Sequence, residues 1–239
     1  MNIFVLCVVI FIFQFISKFW LNDSFGLLPM IAIQFFGVYF PIILYCKFSK
    51  TDISSYFKKS KEKLLLNCTF SIITAIGVNI FVRYLNYPVI NLVKTNSASY
   101  EYSFSLYNII TGLIFLCIVP SIAEELLFRG IMLDKLKNKH SLTVSILISS
   151  IIFAVLHFDL TNFIPQFIFG IVLCLMAIST KSIFPSILAH FLNNIMLLFY
   201  DEYICDCMVA NTTLMFFVSV ALVIIGVGYF GPKILCREI

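Results

Sequence analysis

Eight long apolar runs, separated by short polar connections, constrain this chain more than any single residue does. They lie near residues 2–19, 25–46, 64–82, 105–128, 142–158, 161–180, 183–200 and 211–231. Each approaches or exceeds the roughly 18 residues that a helix needs to cross a bilayer. Only 12% of the residues are charged and 61% are hydrophobic, with 27 Phe, whereas soluble domains keep about a quarter of their residues charged. The pattern predicts an all-α polytopic membrane protein of about eight transmembrane helices, one integral membrane domain over residues 1–239. The first run has no basic segment before it and no small-residue cleavage pattern after it, so it reads as a retained helix rather than a signal peptide. Pro165 breaks the sixth run, and because proline is tolerated in a first turn, the helix is expected to begin near Phe163. The polar stretch 83–104, with Asn91, Asn96, Ser97, Ser99, Tyr100 and Tyr102, reads as an outer loop.

Charge orients the chain. Six lysines, Lys47, Lys50, Lys58, Lys59, Lys61 and Lys63, surround the connection between the second and third runs. Beside a bilayer they suit anionic headgroups, and they do not indicate nucleic acid. With eight spans, the side holding both termini collects Lys47, Lys50, Lys58, Lys59, Lys61, Lys63, Lys135, Lys137, Lys139, Lys181, Lys233 and Arg237, against Lys18, Arg83 and Lys94 opposite. The positive-inside rule then places both termini in the cytoplasm. Cys7, Cys68, Cys117 and Cys174 fall within runs, where a thiol behaves as a small hydrophobe. Cys205 and Cys207 lack the C-x-x-C spacing of zinc and redox sites, and read as structural or free.

Six residues are out of place in such a composition: Glu124, Glu125 and Arg129 in the fourth run, His157 at the end of the fifth, and His190 with Asn194 in the seventh. A charge at mid-membrane costs about 2.5–3.5 kcal/mol on insertion scales, so each is a functional-site candidate. Glu125 and Arg129 are four residues apart and share a helix face, which allows them to pair. Glu124 is turned away from Glu125 by about 100°, so one glutamate can be structural and the other reactive. His190 and Asn194 likewise share a face. An antiparallel hairpin turning at Asn138–His140 brings the carboxylates and His157 to similar heights, because both arms rise about 1.5 Å per residue. Taken singly, each residue has a simpler reading: an interfacial histidine, an amide joining two helices, an ion pair locking a bundle, or a proton relay of a transporter.

Together, in this order, they resemble a known family. Glu124-Glu125-x-x-x-Arg129 followed by Gly130 is similar to the EExxxR motif of the CAAX proteases and bacteriocin-processing proteins, also called CPBP or Abi proteins, which include the type II CAAX prenyl endopeptidases. Phe153-x-x-x-His157 and His190-x-x-x-Asn194 resemble the second and third motifs of that family. The motif-bearing region covers about 105–200, and the first hundred residues match only in being hydrophobic. The resemblance implies an intramembrane endopeptidase of the glutamic type. Glu124 and His157 would activate a water, His190 and Asn194 would stabilise the oxyanion, and Glu125 would be held by Arg129. A zinc mechanism through Glu124, His157 and His190 is the alternative, since a carboxylate and two imidazoles form a common catalytic zinc set. Against it, no H-E-x-x-H helix is present, so no cofactor is the favoured expectation. The implied partners are the lipid bilayer and a membrane-delivered peptide or lipidated protein, with CAAX-type and leader-peptide processing both open. A proton-coupled transporter and a non-catalytic regulatory or immunity protein are the competing function classes.

Overall fold

A computed structural model describes residues 3–20, 35–57, 63–93, 106–199 and 212–232. The secondary structure among these residues is entirely helical, as an apolar chain that must satisfy its own backbone requires. Helix α1 covers Ile3–Trp20, α2 Phe35–Ser49, α3 Leu64–Val93, α4 residues 106–137, α5 Leu142–Leu156, α6 Phe163–Thr180, α7 Phe184–Leu198 and α8 Thr212–Phe230. A short 3₁₀ turn at Ile53–Phe57 follows α2. Among the described residues, four segments are long and apolar enough to cross a membrane: Leu64–Leu85, Ile109–Lys137, Phe163–Thr180 and Thr213–Phe230. Helices α2, α5 and α7 are apolar but shorter.

Among the described residues each apolar run falls on a helix, the second from Phe35 onward because residues 25–34 lie outside them, and α6 starts at Phe163, where Pro165 had placed it. Two boundaries differ from expectation. Residues 83–93, read as the start of an outer loop, continue α3 to Val93. Their polarity misled because Arg83 donates from Nε to Asn79 Oδ1 at 2.9 Å, so polar side chains one turn apart satisfy each other on the helix. Residues 94–105, Cys205 and Cys207, most of the basic stretch at 58–62 and the C-terminal Lys233 and Arg237 lie outside the described residues. Helix α4 runs nine residues past the expected end of its span, to Lys137, as an amphipathic tail with Leu133 buried and Lys135 and Lys137 exposed. It then turns at Asn138–His140 into α5, whose N-cap Ser141 accepts from Val144 N.

Proline shapes α2 and α4 in the same way. Each contains a π-helical stretch, Phe35–Tyr39 and Leu113–Ile118, that ends two residues before a proline, Pro41 or Pro120. A proline inside a helix has no N–H to give to the preceding turn, and widening that turn accommodates the loss. A second π-helical stretch in α4, Leu126–Met132, begins directly after Glu124 and Glu125 and carries Arg129. Insertions of this kind concentrate at functional sites in other proteins.

Helix α8 packs along α3, α5 along α6, and α7 against α3, α4 and α6. Small residues permit the close approaches, as is usual between helices in lipid. A Cβ on Gly77 would lie 2.7 Å from Leu222 Cβ, and one on Gly226 would collide with Thr74. Leu127, Phe128 and Ile131 of α4 join Phe153 of α5 and Phe169, Leu173 and Met176 of α6 in the core. Ser121, Glu125 and Arg129 of α4 are buried in this packed centre.

Candidate active site

The four-residue spacing of Glu125 and Arg129 survives the π-helical turn. Arg129 Nη1 lies 2.7 Å from Glu125 Oε1, and both side chains are fully buried. Arg129 Nη2 donates to the carbonyl of Gly170 at 3.2 Å. Gly170 also lets α6 pack closely on α5, since a Cβ there would stand 3.0 Å from Ser150 Cβ. The guanidinium also lies 4.4 Å from the centre of the Phe153 ring, a favourable placement for a cation removed from water. A cavity of about 670 Å³, lined by Thr51, Asp52, Tyr56, Asp134, Lys181 and Ser182 among others, reaches Arg129 and Gly130. Burial, with Asp134 as the next cause, pushes the Tyr56 phenol up to about 12.

Glu125 has a second partner that the sequence did not announce. His190 Nδ1 lies 2.9 Å from the same oxygen, Glu125 Oε1. A carboxylate accepts, so Nδ1–H donates and the ring is fixed with Nε2 facing away. Phe153 and Phe169 pack edge-on against the imidazole at 5.8 and 5.7 Å. Sixty-five residues separate His190 from Glu125, and no local spacing signals the contact.

Glu124 faces the two histidines. Its Oε2 is 3.9 Å from His157 Nε2 and 3.9 Å from His190 Nε2, and among the described residues no group hydrogen-bonds it. Those distances exceed a direct hydrogen bond. The hairpin argument placed Glu124 and His157 at one height, and the fold brings them face to face. His157 Nδ1 stands 2.7 Å from the Phe153 carbonyl. A carbonyl only accepts, so Nδ1 carries a proton, and in the neutral form of the ring the lone pair is at Nε2. Its side chain is 28% exposed against 4% for His190, which makes His157 the wetter of the pair.

Asn194, one turn beyond His190, donates from Nδ2 to Ser121 Oγ at 3.4 Å, and Ser121 donates in turn to the Cys117 carbonyl. Ser121 had escaped notice, although it is buried one turn before Glu125 on the same helix. Next to Asn194, Asn193 accepts from Asn79 Nδ2 at 2.8 Å, a bond that fixes the rotation of α7 against α3. The Tyr39 hydroxyl of α2 donates to the Val119 carbonyl beside Pro120. All six candidates thus gather from α4, the end of α5 and α7, whereas His140 is exposed in the turn between α4 and α5.

Among the described residues, no three His, Cys, Asp or Glu side chains are arranged to hold a metal ion. The two Nε2 atoms stand 3.9 Å from Glu124 Oε2, wider than the roughly 3.3 Å between donors about a tetrahedral zinc with bonds of about 2.0–2.1 Å. The side chains as placed do not fit zinc.

Residues 106–196, which contain all six polar candidates, match a family model described as type II CAAX prenyl endopeptidase Rce1-like. Over that segment, which is less than half of the chain, the sequence is similar to the CAAX prenyl endopeptidases. The similarity covers α4, α5, α6 and most of α7, without α1, α2, α3 or α8. No curated protein and no solved structure matches the chain.

Proposed function

We propose that this protein is a multi-pass intramembrane endopeptidase of the glutamic type, with both termini cytoplasmic, hydrolysing a peptide bond of a membrane-delivered peptide or lipidated protein. The observation that carries the reading is the carboxylate oxygen of Glu124, buried without a hydrogen-bonding protein partner and equidistant from two imidazole nitrogens. In a bundle core that keeps this carboxylate oxygen out of water, an acceptor so placed suits a reacting water better than it suits packing.

In this mechanism a water lies between Glu124 Oε2 and His157 Nε2. Glu124 takes one proton as the water oxygen bonds to the scissile carbonyl carbon, while the other O–H stays on that oxygen and donates a hydrogen bond to His157 Nε2, which holds the attack direction. The carbonyl π electrons move to oxygen, and the resulting oxyanion is met by Asn194 Nδ2–H and, in the imidazolium form of His190, by Nε2–H. Glu125 at Nδ1 holds the ring in place. Collapse of the intermediate breaks the C–N bond as Glu124 returns its proton to the leaving amine. Arg129 neutralises Glu125, so the second carboxylate neither competes for the water nor repels Glu124. The steps use protein groups alone and route nothing through a metal.

The test is cleavage of a quenched fluorescent farnesylated CAAX peptide and of a leader-type peptide by the purified protein in proteoliposomes. Cleavage should be lost in Glu124→Ala with the thermal midpoint retained, and should continue in metal-stripped protein with a strong chelator present. Full cleavage by both Glu124→Ala and His157→Ala would sink the protease reading, and loss on chelation would replace the metal-free mechanism. Mass spectrometry of the products fixes the cut and separates the two substrate classes.

A further inference from the structure

Helix α5 ends in a way that its own sequence disfavours. His157 closes the helix, with its N–H on the Ala154 carbonyl at 3.3 Å, and Phe158 follows with its N–H on the Val155 carbonyl at 3.0 Å. Phe158 has φ 49, the left-handed conformation that glycine fills at most helix ends and that a bulky aromatic residue rarely adopts. The other two non-glycine residues with positive φ, Lys50 and Lys181, are also at helix ends, but neither adjoins a candidate catalytic group.

The ring explains the choice. Phe158 packs against Phe11 at 4.7 Å and Phe15 at 5.7 Å between centroids, tilted by 49° and 65°. These separations are those of favourable aromatic pairs. Phe11 and Phe15 are one turn apart on α1, and both remain partly exposed, at 39% and 43%. Helix α1 lies outside the segment related to CAAX proteases and carries no motif, yet it grips the residue directly after His157. Local rules broken without local benefit concentrate where function requires them.

We propose that Phe11, Phe15 and Phe158 form an aromatic clamp that makes α1 a positioning element of the active site. The clamp holds the end of α5 in its left-handed turn and thereby sets His157 Nε2 at its distance from Glu124. Phe158 touches no reacting atom and acts through His157. Without the clamp the turn is free to unwind or to extend the helix, and either motion carries the imidazole away from the carboxylate. This proposal rests on the protease reading for its kinetic consequences, though not for the geometry.

Three variants test it: Phe158→Gly keeps the backbone conformation and removes the ring, Phe158→Tyr keeps both, and Phe11→Ala/Phe15→Ala removes the other half of the clamp. The chain has three histidines, so ¹⁵N spectra of labelled protein in micelles resolve the His157 ring and report its tautomer directly. In wild type and Phe158→Tyr the ring should give one narrow Nδ1–H pattern, which broadens in Phe158→Gly and in the α1 double variant. On the farnesylated peptide, kcat should fall about tenfold or more in those two variants with KM within about twofold, as expected when a catalytic group is misplaced. Thermal midpoints should hold in Phe158→Gly, since glycine suits the turn, and combining all three substitutions should add no further loss. An unchanged His157 spectrum with full turnover in Phe158→Gly overturns the clamp, and so does a loss of kcat that merely tracks a loss of thermal stability. If the wild-type protein cleaves neither peptide, the protease reading fails while the spectra still decide the clamp.

Discussion

Arg129→Met tests how the membrane core tolerates Glu125. In the native protein the Glu125 side chain is fully buried, with Arg129 Nη1 at 2.7 Å and His190 Nδ1 at 2.9 Å from one oxygen. Methionine fills much of the arginine volume beside Phe153 but removes the countercharge and the bond to the Gly170 carbonyl. Stripping one partner from a buried ion pair typically destabilises by about 3–5 kcal/mol, because the remaining charge is left uncompensated. At 1.36 kcal/mol per tenfold, that shifts the unfolding equilibrium by roughly two to three and a half orders of magnitude, a large share of a typical stability of about 5–15 kcal/mol. The double variant Glu125→Gln/Arg129→Met should recover most of the loss, since a neutral amide still accepts from His190 and no charge remains unpaired. Reversible unfolding in mixed detergent micelles, followed by circular dichroism, measures both, and the double-mutant cycle isolates the pair. A single variant within about 1 kcal/mol of wild type, or a double variant no more stable than the single, would refute the argument that charge compensation rather than packing governs this site.

Asn194→Ala should lower cleavage of the farnesylated peptide by about 10²- to 10³-fold, the usual consequence of losing one oxyanion donor. Its thermal midpoint should barely move, because the 3.4 Å bond to Ser121 is long. Gly226→Ala should destabilise by about 1–3 kcal/mol through overpacking, since its Cβ meets Thr74 on the facing helix; a melt unchanged from wild type would contradict the close packing of α3 and α8. Tyr56 has a phenol raised from 10.0 to about 12 in the folded protein, so the proton is bound more tightly in the native state. Its contribution is complete below pH 10 and is lost as pH rises through about 12. Unfolding midpoints recorded across that window should fall less steeply in Tyr56→Phe than in wild type.

Apolar run length and charge placement sufficed to place eight helices, because in lipid the backbone leaves a hydrophobic segment of that length few alternatives. The ends of α3 and α4 were harder to see. A polar side chain ends a lipid-facing run but does not end a helix when a neighbour one turn away satisfies it, as Asn79 does for Arg83. The pairing of Glu125 with Arg129 was likewise legible, being a contact within one helix whose period is known.

Contacts between helices were not legible in this way. The hairpin count put His157 level with Glu124 but gave no distance, and nothing in the spacing assigned His190 to Glu125 across sixty-five residues. Nor did an apolar first helix with no motif reveal that two of its phenylalanines hold the turn after His157. The sequence alone determined that charge would be buried in a helical membrane bundle and which residues would carry it, since composition and periodicity act locally along the chain. Only the tertiary structure decided which charge faces which imidazole. The reason is physical: one helix fixes the direction of its side chains to within a few tens of degrees, while the gap between two helices is set by the glycines, serines and aromatic rings packed between them.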